Sequence, residues 1–227
     1  MRIMEIIKQR MKLSTLSIKL VLACSALLAL AATPARATLV TWDFNPTNAN
    51  ASVGSASHTF ASSGYSITAY GFDVVSGPDT PHDLYYKDAS PDHGLGFVGT
   101  PHNEIQTDNY IQLDLSSILS QGFTNGQIKV SSIDSGESFS LYGSNTLGSR
   151  GTFLSTYGDT DNNAWISVPS FGTYNYISVI GTTGDELLWA FQATVSPIPE
   201  ATSLIPTALL AIAVTAFEAR RRRRVTA

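Results

Sequence analysis

Tyr110-Ile111-Gln112-Leu113-Asp114-Leu115 sets apolar Ile111, Leu113 and Leu115 at alternate positions, with polar Gln112 and Asp114 between them. A pleated strand turns successive side chains to opposite faces, so a period of two reads as a strand with one face on a core. Ser138-Phe139-Ser140-Leu141-Tyr142 repeats the pattern, Phe139 and Leu141 lying opposite Ser138, Ser140 and Tyr142. The same character extends outward in both directions: short runs rich in Val, Ile, Thr, Tyr and Phe, broken by Gly, Ser, Asn, Asp and Pro. Strands are expected at Leu39 to Phe44, Ser57 to Phe60, Tyr65 to Phe72, Leu84 to Lys87, Gly96 to Val98, Tyr110 to Leu115, Gln127 to Ile133, Ser138 to Tyr142, Thr152 to Ser155, Ala164 to Val168, Tyr176 to Ile180 and Leu187 to Val195. That inventory predicts an all-β fold, a two-sheet antiparallel β-sandwich of jelly-roll-like form. Ser116 to Gln121 is expected as one helical turn capped by Ser116, and Asn125-Gly126 as a turn before the next strand. No internal repeat points to a propeller or solenoid.

The two ends have a different composition. Lys8, Arg10, Lys12 and Lys19 precede an apolar stretch from Leu20 to Ala32, and Ala35-Arg36-Ala37 has the small-x-small form of a signal peptidase site. Residues 1–37 therefore read as a signal peptide, with Met11 as an alternative start. At the other end Pro199-Glu200 precedes seventeen residues, Ala201 to Phe217, and then Arg220, Arg221, Arg222, Arg223 and Arg224. As a helix this run reaches about 25 Å, close to one bilayer core, and the arginines fix its end on the cytoplasmic face. Residues 38–195 are then an exported domain and 196–227 a tail, joined by the stiff spacer Ser196-Pro197-Ile198-Pro199.

Cys24, the only cysteine, lies in the leader, so the exported domain has to stand without disulfides. Thr38 to Glu200 is 163 residues, enough to bury about 70% of its unfolded surface. That stretch holds three basic residues (Lys87, Lys129, Arg150) against sixteen acidic ones, a balance of about −13, whereas the whole chain carries −4. A phosphate backbone would be repelled, and no basic stripe exists to release its counterions, so nucleic acid is excluded as a partner.

Leader, acidic domain, and a tail of Pro-Glu, apolar helix and arginines resemble the PEP-CTERM proteins of Gram-negative bacteria. Pro199 and Glu200 match the first two motif positions; Ala201 stands where the family usually has a second proline. The resemblance implies that signal peptidase and a membrane exosortase act on the chain. It also implies a cell-envelope location: anchored in the membrane with the arginines cytoplasmic, or released to the extracellular matrix after processing. Leu84-Tyr85-Tyr86-Lys87, Gly94-Leu95-Gly96, Tyr110 to Leu115 and Ser138 to Ser144 also look like a recurrent exported domain of such proteins, one that implies no activity.

Gly94-Leu95-Gly96-Phe97-Val98-Gly99 has the letters of a dinucleotide fingerprint but not its context. The turn-rich Ser90-Pro91-Asp92-His93 precedes it and Thr100-Pro101 follows, so the glycines are read as tight strand geometry. Asp79 to Glu104 gathers His82, His93 and His102 with Asp79, Asp83, Asp88, Asp92 and Glu104. This is either a rim of solvated loop residues or a metal site using Asp79, Asp83, Asp92 and Glu104, calcium being favoured by the carboxylates. Asp159-Thr160-Asp161-Asn162-Asn163 spaces Asp159, Asp161 and Asn163 like the start of a calcium loop, although Ala164 and Ser170 replace its glycine and bidentate glutamate; its alternative is a hairpin turn.

No Gly-x-Ser-x-Gly elbow or thiol nucleophile is present in the domain. Of the aromatics, Trp189 in Leu187-Leu188-Trp189-Ala190-Phe191 is expected in the core, and Trp165 is the candidate platform for a sugar ring. The chain therefore reads as a non-catalytic exported protein binding polysaccharide or calcium. The alternative is a secreted carbohydrate-active enzyme, a glycoside hydrolase using two carboxylates from distant strands.

Overall fold

The computed structural model describes residues 36–196. The leader through Ala35 and the tail with Pro199, Glu200 and Arg220 to Arg224 lie outside the described residues. Ala37 is within them, exposed and irregular, just before the first strand.

Fourteen strands occur among the described residues: β1 (Thr38–Asp43), β2 (Ala51–Ser52), β3 (Ser57–Ser62), β4 (Tyr65–Asp73), β5 (Thr80–Pro81), β6 (Leu84–Ala89), β7 (Asp92–Phe97), β8 (Asn109–Asp114), β9 (Phe123–Ser131), β10 (Ser138–Ser144), β11 (Thr152–Gly158), β12 (Trp165–Ser167), β13 (Tyr176–Thr183) and β14 (Leu187–Val195). They form two antiparallel sheets. The first runs β12-β9-β14-β7-β6-β2; β1 pairs with β14 from Ala190 to Val195, and β7 meets it at Leu188. The second runs β11-β10-β13-β8-β4-β3, with β5 on β4. The fold is all-β, two sheets packed as a sandwich.

Strand parity builds the core. Ile111 and Leu113 pair with Val179 and Ile177 on β13, and all four are buried with Phe139 and Leu141 of β10. The facing sheet supplies Val40, Trp42, Ile128, Val130, Phe191 and Ala193 to the same cluster. Trp42 ties the layers: its ring lies 5.7 Å from Phe123 and 6.0 Å from Phe191, and Nε1 donates to the Tyr65 carbonyl of the opposite sheet at 3.1 Å.

Each expected strand has a counterpart, and several details differ for local reasons. Asn125-Gly126 lies inside β9, where Asn125 takes a left-handed φ of 54° and the β9–β14 register shifts between Gln192 and Thr194. The turn signal is realised as a bulge, because the same left-handed backbone serves both. Ser116 is inside α1 (Ser116–Ser120), the one α-helix among the described residues, rather than its cap; the Asp114 carboxylate accepts from the Ser116 amide at 2.9 Å. Gln112 faces away from the core as its parity requires, yet it is buried. The loop after β10 folds over it, and its side-chain amide donates to Ser149 O at 2.9 Å and accepts from Gly148 N at 2.8 Å.

Trp42 and Trp165 should respond oppositely to truncation. Trp42→Ala is expected to cost about 3–5 kcal/mol in urea denaturation, as for a large aromatic removed from a packed core. Trp165→Ala, at an exposed position on an outer face, is expected to change stability by no more than about 0.5 kcal/mol.

Candidate functional site

The outer face of the first sheet carries the most organised set of polar and aromatic groups, although Gln192 and Ala190 within it are buried. Burying Val40, Trp42, Ile128, Val130, Ile166, Phe191 and Ala193 turns their neighbours outward, and the register aligns these across four strands. One row is Trp165, Lys129, Ala190 and Asp43; the next is Ser167, Gln127, Gln192 and Thr41. Three strand spacings make the strip about 14 Å wide. Gln192 Nε2 donates to Gln127 Oε1 at 2.6 Å, which fixes both amides in the plane of the face.

Trp189 belongs to this face, contrary to the expectation that it lies in the core. The register of β14 against β9 shifts between Leu188 and Ala190, and the extra residue sends Trp189 outward, where it is half-buried. The Lys129 ammonium lies 3.4 Å from its ring centroid, and the His93 ring 5.2 Å away. Burial pulls Lys129 below its usual pKa, with Asp43 opposing. His93 sits between Asp43 and Asp88, 3.2 Å from each carboxylate.

A cleft of about 640 Å³ opens at the β9–β12 end of the strip, lined by Thr124, Asn125, Gln127, Ser167, Phe171 and Thr194 among others. Gly126 makes it possible: a Cβ there would overlap the Phe171 ring, which lies directly on the glycine. The same Asn-Gly pair thus bends β9 and seats the aromatic wall. Together the strip offers one exposed indole, a second held beneath a cation, and amide and hydroxyl groups in register, a surface suited to a flat polar ligand with apolar faces.

The sequence-predicted acidic residues are dispersed. Asp79 accepts from the Tyr110 hydroxyl at 2.9 Å on the second sheet. Asp83 is exposed between β5 and β6. Asp92 lies 3.6 Å from Lys87, whose ammonium also pairs with Glu104. Asp159, Asp161 and Asn163 share one hydrogen-bonded turn, with Asp161 Oδ2 accepting from Gly158 N at 3.1 Å. That turn crosses from β11 in one sheet to β12 in the other and is not a hairpin. Among the described residues no group of three or more His, Cys, Asp or Glu is placed to hold a metal ion.

The histidines instead pair with separate aspartates: His82 with Asp73 at 2.6 Å, His93 with Asp43 and Asp88, and His102 with Asp185 at 2.6 Å. Burial alone would lower His82, but Asp73 and the Val98 carbonyl hold it more basic than usual. Strand in this segment extends beyond the expected Leu84 to Lys87 and Gly96 to Val98, with β5, most of β7 and the end of β6 where solvated loop residues were the alternative to a metal site. Two of its glycines are points of close approach, Gly94 against Leu188 O and Gly96 against Asn103 O.

The strongest carboxyl perturbation lies elsewhere. Glu186 is 1% exposed, its Oε1 has no hydrogen-bond partner among the described residues, and that oxygen lies over Gly181, an inward position of β13. Burial first, then the carboxylates of Glu137, Asp185 and Glu104, push Glu186 up to about 9. Burial also raises Glu104, against the opposing pull of Lys87 and Ser132. Neither the cleft above nor a second one, lined by Asp79, Tyr142 and Arg150 among others, is lined by Glu104, Glu137 or Glu186. The sequence singled out Trp165 but not its companions Gln127, Gln192, Lys129 and Trp189, which become neighbours only through cross-strand register.

No protein-family model matches the chain, and no curated protein or solved structure matches it significantly.

Glu186 sets a pH dependence whose sign is fixed. Its folded carboxyl keeps its proton to about pH 9, whereas the unfolded one releases it near 4.5. The stabilisation is complete below the lower value and is lost as pH rises to the higher one, by at most about 1.4 kcal/mol per pH unit. Glu186→Gln is expected to flatten this slope and raise the melting temperature at pH 8, read by thermal denaturation from pH 5 to 9. A wild-type stability that does not fall over that range would contradict a neutral Glu186.

Proposed function

We propose that this chain is an exported, non-catalytic cell-envelope or extracellular-matrix protein that binds polysaccharide on the outer face of its first sheet. The observation that carries the reading is the cross-strand strip of Trp165, Lys129, Gln127, Gln192 and Ser167 beside the 640 Å³ cleft. A sugar ring has an apolar C–H face and a rim of hydroxyls. Trp165 offers the ring for the face, and the amides, Ser167 and Thr41 offer donors and acceptors for the rim. A strip that runs across strands suits an extended chain better than a single small molecule.

Delivery rests on the two ends of the sequence: cleavage after Ala37 by signal peptidase, and recognition of Pro199-Glu200, the apolar helix and Arg220 to Arg224 by an exosortase. The jelly-roll-like form belongs to the same proposal. Its support is the chain's repeated crossing between sheets, from β7 through β10 and again from β11 through β14.

Two measurements test the reading. In affinity electrophoresis with a polysaccharide panel, Trp165→Ala is expected to weaken retention about tenfold, the loss of one aromatic stack. Unchanged retention would remove the face from the proposal, and release of soluble sugar would favour the glycoside hydrolase instead. In a Gram-negative host, deletion of residues 199–227 is expected to move the tagged protein out of the envelope fraction. An unaltered distribution would overturn the sorting role of the tail.

A further inference from the structure

The second sheet has its own aromatic outer face, and one end of it is open. Phe153, Tyr142, Ser178, Gln112 and Tyr70 form one row across it, and Ile180, Tyr110 and Phe72 pack in the next. The loop after β10 covers the middle of this face, clamped by Gln112, and the turn before β5 approaches from the other side. Between the two lies a cleft of about 440 Å³ lined by Gly77, Pro78, Asp79, Tyr142 and residues 148–151.

Its polar groups come from opposite sides. The Arg150 guanidinium lies 5.8 Å from the centroid of the half-buried Tyr142 ring. Among the described residues no carboxylate forms an ion pair with it, although the domain is acidic. Asp79 faces the cleft with its carboxylate held by the Tyr110 hydroxyl at 2.9 Å. Burial and Asp79 raise the Tyr110 pKa, which keeps that hydroxyl a donor. The cleft therefore presents an aromatic wall, a fixed acceptor and a charged donor whose N–H groups have no side-chain or backbone acceptor among the described residues.

We propose that this cleft is a second carbohydrate site, taking a neutral hexose residue, so that the domain binds polysaccharide on both outer faces and cross-links chains. The inference builds on the first-sheet reading and adds ligand class and valency. Vicinal hydroxyls both donate and accept, so one sugar satisfies Asp79 and Arg150 together, whereas a uronate would meet Arg150 at the cost of repulsion from Asp79. The balance of about −13 over Thr38 to Glu200 points the same way, against polyanionic chains. Two sites facing opposite ways cannot both be filled by one short segment, and this makes the protein a bridge rather than a tighter single-chain binder.

The test uses the full-length protein in detergent, with dextran and galactomannan as neutral probes and polygalacturonate as the charged one. Arg150→Gln and Asp79→Asn are each expected to weaken binding at this cleft about tenfold, the loss of a charge-assisted hydrogen bond, which shows as a partial loss of retention by a neutral chain because the first-sheet strip still binds. Either variant combined with Trp165→Ala should abolish it. Wild type should precipitate the soluble neutral chain it binds, while each single-face variant binds without precipitating. Arg150→Gln and Asp79→Asn binding like wild type, with Trp165→Ala alone defective, would overturn the second site and leave the first. The reverse pattern would support this cleft and overturn the first-sheet reading. Tighter binding of polygalacturonate than of either neutral chain would overturn the assignment of ligand class, and failure to bind either neutral chain would overturn both sites.

Discussion

Trp42 fixes the relation between the two layers. Its indole fills the space between Phe123 and Phe191, and its N–H reaches the backbone of the opposite sheet at Tyr65. An indole donor cannot be buried unpaired without a cost of a few kcal/mol, so the bond restricts how β1 lies across the sandwich. With Trp42 inward, parity leaves Thr41 and Asp43 no choice but the outer face. Through β14 and β9 the same parity carries to Gln192, Gln127, Lys129 and finally Trp165. A one-residue slip anywhere in this chain of pairings would exchange core for surface.

Two register shifts in the β9–β14 ladder turn a plain sheet into a shaped one. The shift at Leu188 to Ala190 brings out Trp189, and the Lys129 ammonium closes over it. The shift at Gln192 to Thr194 lies opposite Asn125-Gly126, where the missing side chain lets Phe171 settle on the backbone and wall the cleft. Bulges increase local twist and redirect side chains. Here they supply the aromatic relief that strict alternation would have withheld.

The fold was legible because alternation is a local signal: Ile111, Leu113, Phe139 and Leu141 each declare an inward face within five or six residues. The candidate site was legible only at Trp165, whose polar flank marked it as outward. Gln127 and Gln192 lie 65 positions apart and meet only through register, which no single strand encodes. Trp189 misled for a physical reason, since its apolar neighbours fit a buried run and the bulge that reverses it leaves no mark in composition. Gln112 shows the converse: its parity was readable, but the loop that buries it is not written in β8. In the acidic segment from Asp79 to Glu104, composition suggested ligands, whereas the fold assigns its histidines to separate aspartates.

The placement of the three basic residues between Thr38 and Glu200 links electrostatics to both outer faces. Lys87 is spent internally, neutralising the buried Glu104 and reaching Asp92. Lys129 and Arg150 lie instead over aromatic rings, Trp189 on one face and Tyr142 on the other. A cation over a ring is held by the electron-rich face without using a carboxylate partner, so N–H groups are left to donate. Beyond a Debye length, about 8 Å in physiological salt, the net negative field of the domain is largely screened, so it acts only on groups close to the surface. Within contact range a polymer meets a donor beside an aromatic surface, on either side of the sandwich. Under the proposed binding role, repulsion of polyanions close to the negatively charged surface and donors placed on both faces act in the same direction, favouring neutral hydroxyl-bearing chains through overall charge and through the positions of two side chains together.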